Sequence, residues 1–167
     1  RLLCRREGGS CRLGKRPLEG GIGIGSSPLR QSERRGLYAS VLSSLRRSGG
    51  LYPCRCSRRL LADISAPHGA TAVYPGICRG APLAWGPQQG RLPSWRLALE
   101  PGWLTWGEQL GPEGRLDAQG QVGDVVLRRA DGFLAYHLAT AVDDLLLGIS
   151  DVVRGNDLWA ATAPQVP

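Results

Sequence analysis

A chain of 167 residues is about one domain's worth of polypeptide. With 42% apolar and 21% charged residues it has the means to bury a core, which argues against a disordered chain. No apolar run approaches the roughly 18 residues of a membrane span, and no cleavable apolar segment follows the basic start, so neither an integral membrane protein nor a secretory leader is predicted. Charge is divided unevenly: residues 1–60 hold 14 Lys+Arg against 3 Asp+Glu, whereas residues 61–167 hold 7 against 11. A basic half joined to an acidic half suggests a polyanionic partner on one face. An arginine-rich coding bias is the competing explanation, because Lys15 is the only lysine. The chain opens on Arg1 and has no Met, which suggests a piece of something longer. Gly (24) and Pro (12) are abundant, so many loops and few long helices are expected.

In chain order, Arg1–Arg5 reads as a short strand. The glycine-rich stretch from Gly8 to Pro28 has neither helical nor strand periodicity. Its Gly21-Ile-Gly-Ile-Gly25 fails the dinucleotide fingerprint because Ser26 stands where the third glycine is needed. Order begins at Ser32, a predicted N-cap with Glu33 in the first turn, and Leu37, Tyr38, Val41, Leu42 and Leu45 then recur at helical spacing. Gly49 is placed to stop that helix. Residues 83–121 are rich in Trp, Pro and Gly, and their tryptophans read as caps on small cores in preference to base-stacking platforms. Val125–Leu127 reads as a strand, Asp131-Gly132 as a tight turn, Phe133–Tyr136 as the returning strand and Tyr136–Leu147 as a helix ended by Gly148. Ile149–Val153 is predicted to be a buried strand and Asn156 to cap a further helix. This alternation is the pattern of an α/β fold with a parallel sheet.

Five cysteines (Cys4, Cys11, Cys54, Cys56, Cys78) are an odd number and do not suggest a disulfide framework. They point to a reducing compartment, by default the cytosol, with metal binding or idle thiols. Cys54-x-Cys56 and Cys78 offer three soft ligands, and a closed zinc site needs a fourth. By chemistry alone His68, in the intervening loop, is the ordinary choice. Arg154 follows a predicted strand, where an open α/β sheet binds ligands, and its guanidinium suits a carboxylate; a surface ion pair with Asp151 or Asp157 is the plainer alternative. Tyr136 offers a phenol to the same place or a ring to the core. Asp143-Asp144 are neighbours on a helix and point about 100° apart, so they do not converge on one atom. One is expected to face solvent and the other to cap or pair locally.

Several stretches together resemble one family. Leu29–Arg34 (LRQSER), Leu51–Arg58 (LYPCRCSR), Tyr74–Arg79 (YPGICR), Gly123–Gly132 (GDVVLRRADG), Tyr136–Asp144 (YHLATAVDD) and Val152–Leu158 (VVRGNDL) are similar, in order, to the glutamyl-queuosine tRNA(Asp) synthetases. That family is a shortened branch of the glutamyl-tRNA synthetases. The resemblance spans residues 29–165 and implies an α/β chain: part of a class I synthetase Rossmann domain with a zinc-binding insertion. Residues 1–50 would be a remnant of the first Rossmann half, 51–131 the insertion and 132–167 the start of the second half. The family activates glutamate with ATP and transfers it to queuosine of tRNA(Asp). Zinc and ATP are therefore the implied cofactor and co-substrate, and glutamate and tRNA(Asp) the implied partners, with no membrane.

Carried over residue by residue, the zinc ligands are Cys54, Cys56, Tyr74 and Cys78, with Tyr74 in place of His68. Tyr136 and Arg154 fall on the glutamate contacts, and Arg1–Glu7 resembles the strand that carries a glutamate-binding acid, Glu7. The family's two ATP-site motifs, one like His-Ile-Gly-His and one like Lys-Met-Ser-Lys-Ser, are absent from these residues. Both stabilise charge on the triphosphate, so this stretch alone is not expected to activate glutamate. The family's Asp-Trp-Asp-Gly, read one base late, becomes Ile-Gly-Ile-Gly, which is Ile22–Gly25 and would account for the glycine-rich stretch. Two other readings stand beside this one: a piece of an ordinary glutamyl-tRNA synthetase, and a non-catalytic zinc module that binds RNA through its arginine-rich half.

Overall fold

A computed structural model describes residues 2–4, 6–7, 10–11, 30–57, 59–61, 73–108, 111–155 and 162. The glycine-rich stretch, its frame-shift explanation, His68 and the helix predicted after Asn156 lie outside the described residues.

The described elements mix strands with two helices, as an α/β chain should. Strands β1 (Leu2–Cys4), β2 (Arg6–Glu7) and β3 (Ser10–Cys11) precede a 3₁₀ turn over Gln31–Arg34 and helix α1 (Arg35–Arg47). Next come β4 (Leu51–Cys54), β5 (Ser94–Leu97), β6 (Trp103–Trp106), β7 (Gly114–Asp117) and β8 (Val125–Arg128). Helix α2 (Tyr136–Leu146) and β9 (Val152–Arg154) follow.

The apolar period places Tyr38 and Leu42 of α1 in the core, with Val41 and Leu45 packed beside them; Leu37 lies off the stripe and is exposed. Ser32 is not the N-cap. It sits inside the 3₁₀ turn, and α1 grows from that turn with no side-chain cap. The C-terminus behaves as read. Gly49 takes φ +79°, its N–H bonds to Arg46 O at 3.1 Å and that of Gly50 to Leu45 O at 3.0 Å. This paired return satisfies two carbonyls at the helix end and requires a left-handed residue, which glycine adopts without a Cβ penalty. α2 ends the same way, with Ile149 N–H bonded to Asp144 O at 2.8 Å.

β4, β5 and β8 form an antiparallel sheet in the order β4–β5–β8, with Leu51 opposite Leu97 and Cys54 opposite Ser94. Leu51 and Leu127 from this sheet, Tyr38 and Leu42 from α1, and Leu138, Ala139 and Val142 from α2 make one buried cluster. Successive strand residues point to opposite faces, and accordingly Tyr52 and Cys54 belong to a second cluster with Tyr74 and Cys78.

Three expectations fail in the structure. No parallel sheet forms among the described residues: every paired strand is antiparallel, and the one parallel contact is an isolated bridge between Tyr74 and Gly123. Strand–helix–strand alternation specifies the elements but not their neighbours; β8 pairs with β5, and β9 pairs with β1. The strand predicted as buried over 149–153 is instead Val152–Arg154, and Val153 is exposed. The hairpin turn after β8 is present, but its return is a single bridge, Arg128 to Leu134, before Ala135 turns into α2. Tyr136 is thus the first residue of a helix, not the end of a strand.

The β6–β7 hairpin is built around Trp106, which is fully buried. Gly114 lies opposite it in the register, and a Cβ at that position would overlap the indole. Gly114→Ala is expected to cost about 2 kcal/mol through overpacking, read as a lowered urea midpoint with an unchanged slope. A midpoint equal to that of the wild type would show that the hairpin repacks freely.

Candidate metal centre

β4 ends at Cys54, and the chain turns so that Cys56 presents its thiol to the same side. Tyr74 and Cys78 arrive from the far end of the intervening loop, where the backbone N–H of Cys78 donates to Tyr74 Oη at 2.9 Å. The three Sγ atoms all lie within 4.8 Å of one another. Cys56 and Cys78 are 3.5 Å apart, and Tyr74 Oη stands 3.5 Å from Cys54 Sγ and 3.8 Å from Cys56 Sγ. Tetrahedral ligands around zinc, with Zn–S about 2.3 Å and Zn–O about 2.0 Å, stand about 3.8 Å apart for two sulfurs and about 3.5 Å for sulfur and oxygen. The Cys56–Cys78, Cys54–Tyr74 and Cys56–Tyr74 separations are near those values and all three sulfurs lie within 4.8 Å, so the donor set fits a closed site after small side-chain adjustments.

Protons compete for the same atoms. Burial pushes the Cys54 thiol up, but the Tyr74 hydroxyl, the Cys56 backbone and the Arg96 guanidinium outweigh it and bring Cys54 to about 7. Burial and the neighbouring Cys78 push Cys56 up to about 11. Burial, then Cys54 and Cys78, hold Tyr74 firmly in its phenol form. A cation that binds here must displace protons, as zinc does from cysteines.

The surround of the cluster is polar and buried. The Arg96 guanidinium lies 3.7 Å from the centroid of the Tyr74 ring, and its Nη1 donates to Asp124 O at 2.6 Å. The Asp124 carboxylate accepts the Tyr52 hydroxyl and the Leu99 N–H (2.9 Å), with Arg79 Nε 3.7 Å away. Asp124 therefore ties β4, β8 and the Tyr74–Arg79 turn together. Gly123 makes this approach possible: a Cβ there would stand 2.9 Å from Val73 Cγ1 and 3.0 Å from Tyr74 N. Sequence reasoning assigned no role to Arg96 or Asp124; a single Gly-Asp pair before an apolar strand was the only signal they left.

No family model matches the chain. Its sequence is 57% identical over 136 residues to a glutamyl-Q tRNA(Asp) synthetase of Prochlorococcus marinus (strain MIT 9303), covering 81% of this chain and 40% of that protein. The glutamyl-Q tRNA(Asp) synthetase of Parasynechococcus marenigrum (strain WH8102) is 50% identical over 145 residues, 87% of this chain and 42% of that one. The chain is related to the glutamyl-Q tRNA(Asp) synthetases. It spans about 40% of the length of the curated synthetases it matches. A solved structure of a glutamate tRNA ligase from Elizabethkingia meningosepticum in complex with its amino acid shares the fold, with a TM-score of 0.62, 20% identity and coverage of 87% of this chain and 32% of that one.

Of the glutamate contacts implied by the synthetase resemblance, only Tyr136 has a described side chain. Tyr136 is exposed at the first turn of α2. Arg154 pairs through its backbone with Leu2, and Glu7 with Ser10; the side chains of Arg154 and Glu7 lie outside the described residues. Asp143 departs from its expected local role. It is buried on α2 and accepts the Tyr38 hydroxyl (2.8 Å) and Gln31 Nε2 (3.0 Å), with Arg34 Nε 3.0 Å from its other oxygen. No helix of the described residues is long and apolar enough to cross a membrane.

Proposed function

We propose that this chain is part of an enzyme that activates glutamate with ATP and transfers it to queuosine of tRNA(Asp). The observation that carries this reading is the 57% identity to a synthetase of that name over most of the chain. In the activation step the glutamate carboxylate becomes an acyl-adenylate and pyrophosphate leaves; in the second, queuosine takes the acyl group and AMP leaves. Within that scheme Arg154 holds a substrate carboxylate bidentately, Tyr136 donates a phenolic hydrogen bond and Glu7 faces the ammonium group.

Cys54, Cys56, Tyr74 and Cys78 would hold a zinc ion whose part is structural. It closes the loop between β4 and the Tyr74–Arg79 turn, and four protein ligands leave no open position for chemistry. The reading keeps residues 51–131 as the zinc-bearing insertion. β4 and β8 at its two ends share a buried cluster with α1 and α2, which is how such an insertion would be anchored.

The test is a transfer assay on enzyme containing this chain, with ATP, labelled glutamate and queuosine-containing tRNA(Asp). Label is expected on the modified base and not on the 3′ end. Arg154→Ala should weaken glutamate use at least tenfold while leaving tRNA binding unchanged. Charging of the 3′ end would identify an ordinary glutamyl-tRNA synthetase. Equal loss of glutamate use and tRNA binding would count against the clamp.

A further inference from the structure

We infer that α1 and the adjoining edge of the sheet form a phosphate-binding cradle for an RNA backbone. Between them runs a groove of about 370 Å³, lined by Arg35, Gly36, Ala39 and Ser43 of α1 and by Trp95 and Arg128 of the sheet. Arg35, Ala39, Ser43 and Arg46 follow one another at helical spacing, so they stand on one stripe of α1. The small residues in the middle of that stripe keep the groove open.

Arg35 and Arg128 line it and Arg46 stands beside its Trp95 wall, and none of the three has an ion pair among the described residues. Arg46 lies 4.2 Å from the Trp85 ring centroid and 5.9 Å from that of Trp95; Arg128 lies 4.9 Å from Trp95. Trp85 and Trp95 meet edge to face at 5.2 Å, forming a firm base for both guanidiniums. A guanidinium laid flat on an aromatic face keeps the N–H donors around its rim, which is the arrangement that grips a phosphate. Arg35 adds a different signal. It stands at the junction of the 3₁₀ turn and α1, exposed and with no ion pair among the described residues. The nearby Asp131 is already taken by Arg129. Three cations with no acidic partner among the described residues, two of them held on a tryptophan pair, are complementary to a polyanion.

The identity of the RNA as tRNA(Asp) rests on the proposed function; the cradle itself rests on these contacts. The experiment measures binding of end-labelled tRNA(Asp) to this chain by anisotropy between 50 and 200 mM salt, a range over which phosphate neutralisation is read. Replacing Arg35, Arg46 and Arg128 together by Gln is expected to weaken binding at least tenfold and to flatten the slope of log K against log salt by about 2–3, near one for each phosphate no longer neutralised. Arg35→Glu alone removes no ion pair or hydrogen bond among the described residues, so it tests the cradle without a folding defect and should flatten the slope by about 1. Arg115→Gln, which unstacks a guanidinium from Trp103 on the other hairpin (4.0 Å), should change nothing. Wild-type binding that the triple variant retains in full would overturn the cradle alone. Equal loss in Arg115→Gln, or displacement of tRNA by polyglutamate at matched charge, would also overturn it. No tRNA binding by the wild type would overturn the cradle together with the tRNA partner.

Discussion

Wild-type protein is expected to purify with one zinc ion per chain, and Cys78→Ser protein to purify without it and to unfold at markedly lower temperature. Metal per chain by elemental analysis, beside a thermal melt, checks both. The expectation follows from the geometry: Cys78 Sγ is 3.5 Å from Cys56 Sγ, and a serine hydroxyl in its place is a poor, protonated ligand at neutral pH. Structural zinc contributes on the order of 10 kcal/mol of folding free energy in small metal-stapled domains. Loss of even part of that exceeds the ordinary effect of a point mutation.

The pH dependence has a definite sign. The Cys54 thiol, at about 7, is partly ionised near neutrality. Cys56, at about 11, gives up its proton only to the metal. Binding therefore releases protons, and affinity falls as pH is lowered. Chelator at pH 6 should strip the protein faster than chelator at pH 8. Unchanged melting after complete metal removal would leave the cysteines as a packed thiol cluster with no staple role.

Asp143→Ala is the second large effect: destabilisation of about 3–5 kcal/mol, the cost of leaving a partly buried cation without its partner. The Arg34 contact at 3.0 Å is an ion pair that is not aligned as a hydrogen bond, so its worth is coulombic and depends on charge. Alanine also strands the Tyr38 hydroxyl on a residue that is 1% exposed. Asn at 143 keeps an acceptor for Tyr38 and Gln31 but loses the charge, and should fall between alanine and wild type. Denaturant unfolding reads the series, and a loss below 1 kcal/mol for alanine would mean that water replaces the carboxylate at no cost.

Local signals carried much of this reading, and non-local ones did not. The stripe of α1, its glycine stop, the start and stop of α2 and strand β8 follow from period and punctuation within a dozen residues, and all stand in the described structure. The cysteine spacing identified the thiols, while the resemblance, not the spacing, supplied Tyr74 in place of His68. What failed depends on partners far along the chain. Asp143 reads as a residue that faces solvent or pairs locally because its three partners lie more than 100 residues earlier. The pairing of β5 with both β4 and β8 leaves no trace in periodicity, since strand neighbours are chosen by the whole topology. Phe133–Tyr136 reads as a strand because a one-bridge return looks like one when only its apolar pattern is visible.

β4 is four residues long and is shared by two interiors. Leu51 packs into the helical cluster, and Tyr52 and Cys54 line the thiol pocket. Anything that binds the thiols therefore draws on the same strand that supports the helices, and the two halves gain or lose stability as one thermodynamic unit. With zinc at the site and the site saturating, each tenfold fall in free zinc withdraws about 1.4 kcal/mol from that unit. Abundance of the folded chain would then follow the zinc supply of its surroundings, and starvation for the metal would deplete the protein even though no step of its chemistry consumes zinc.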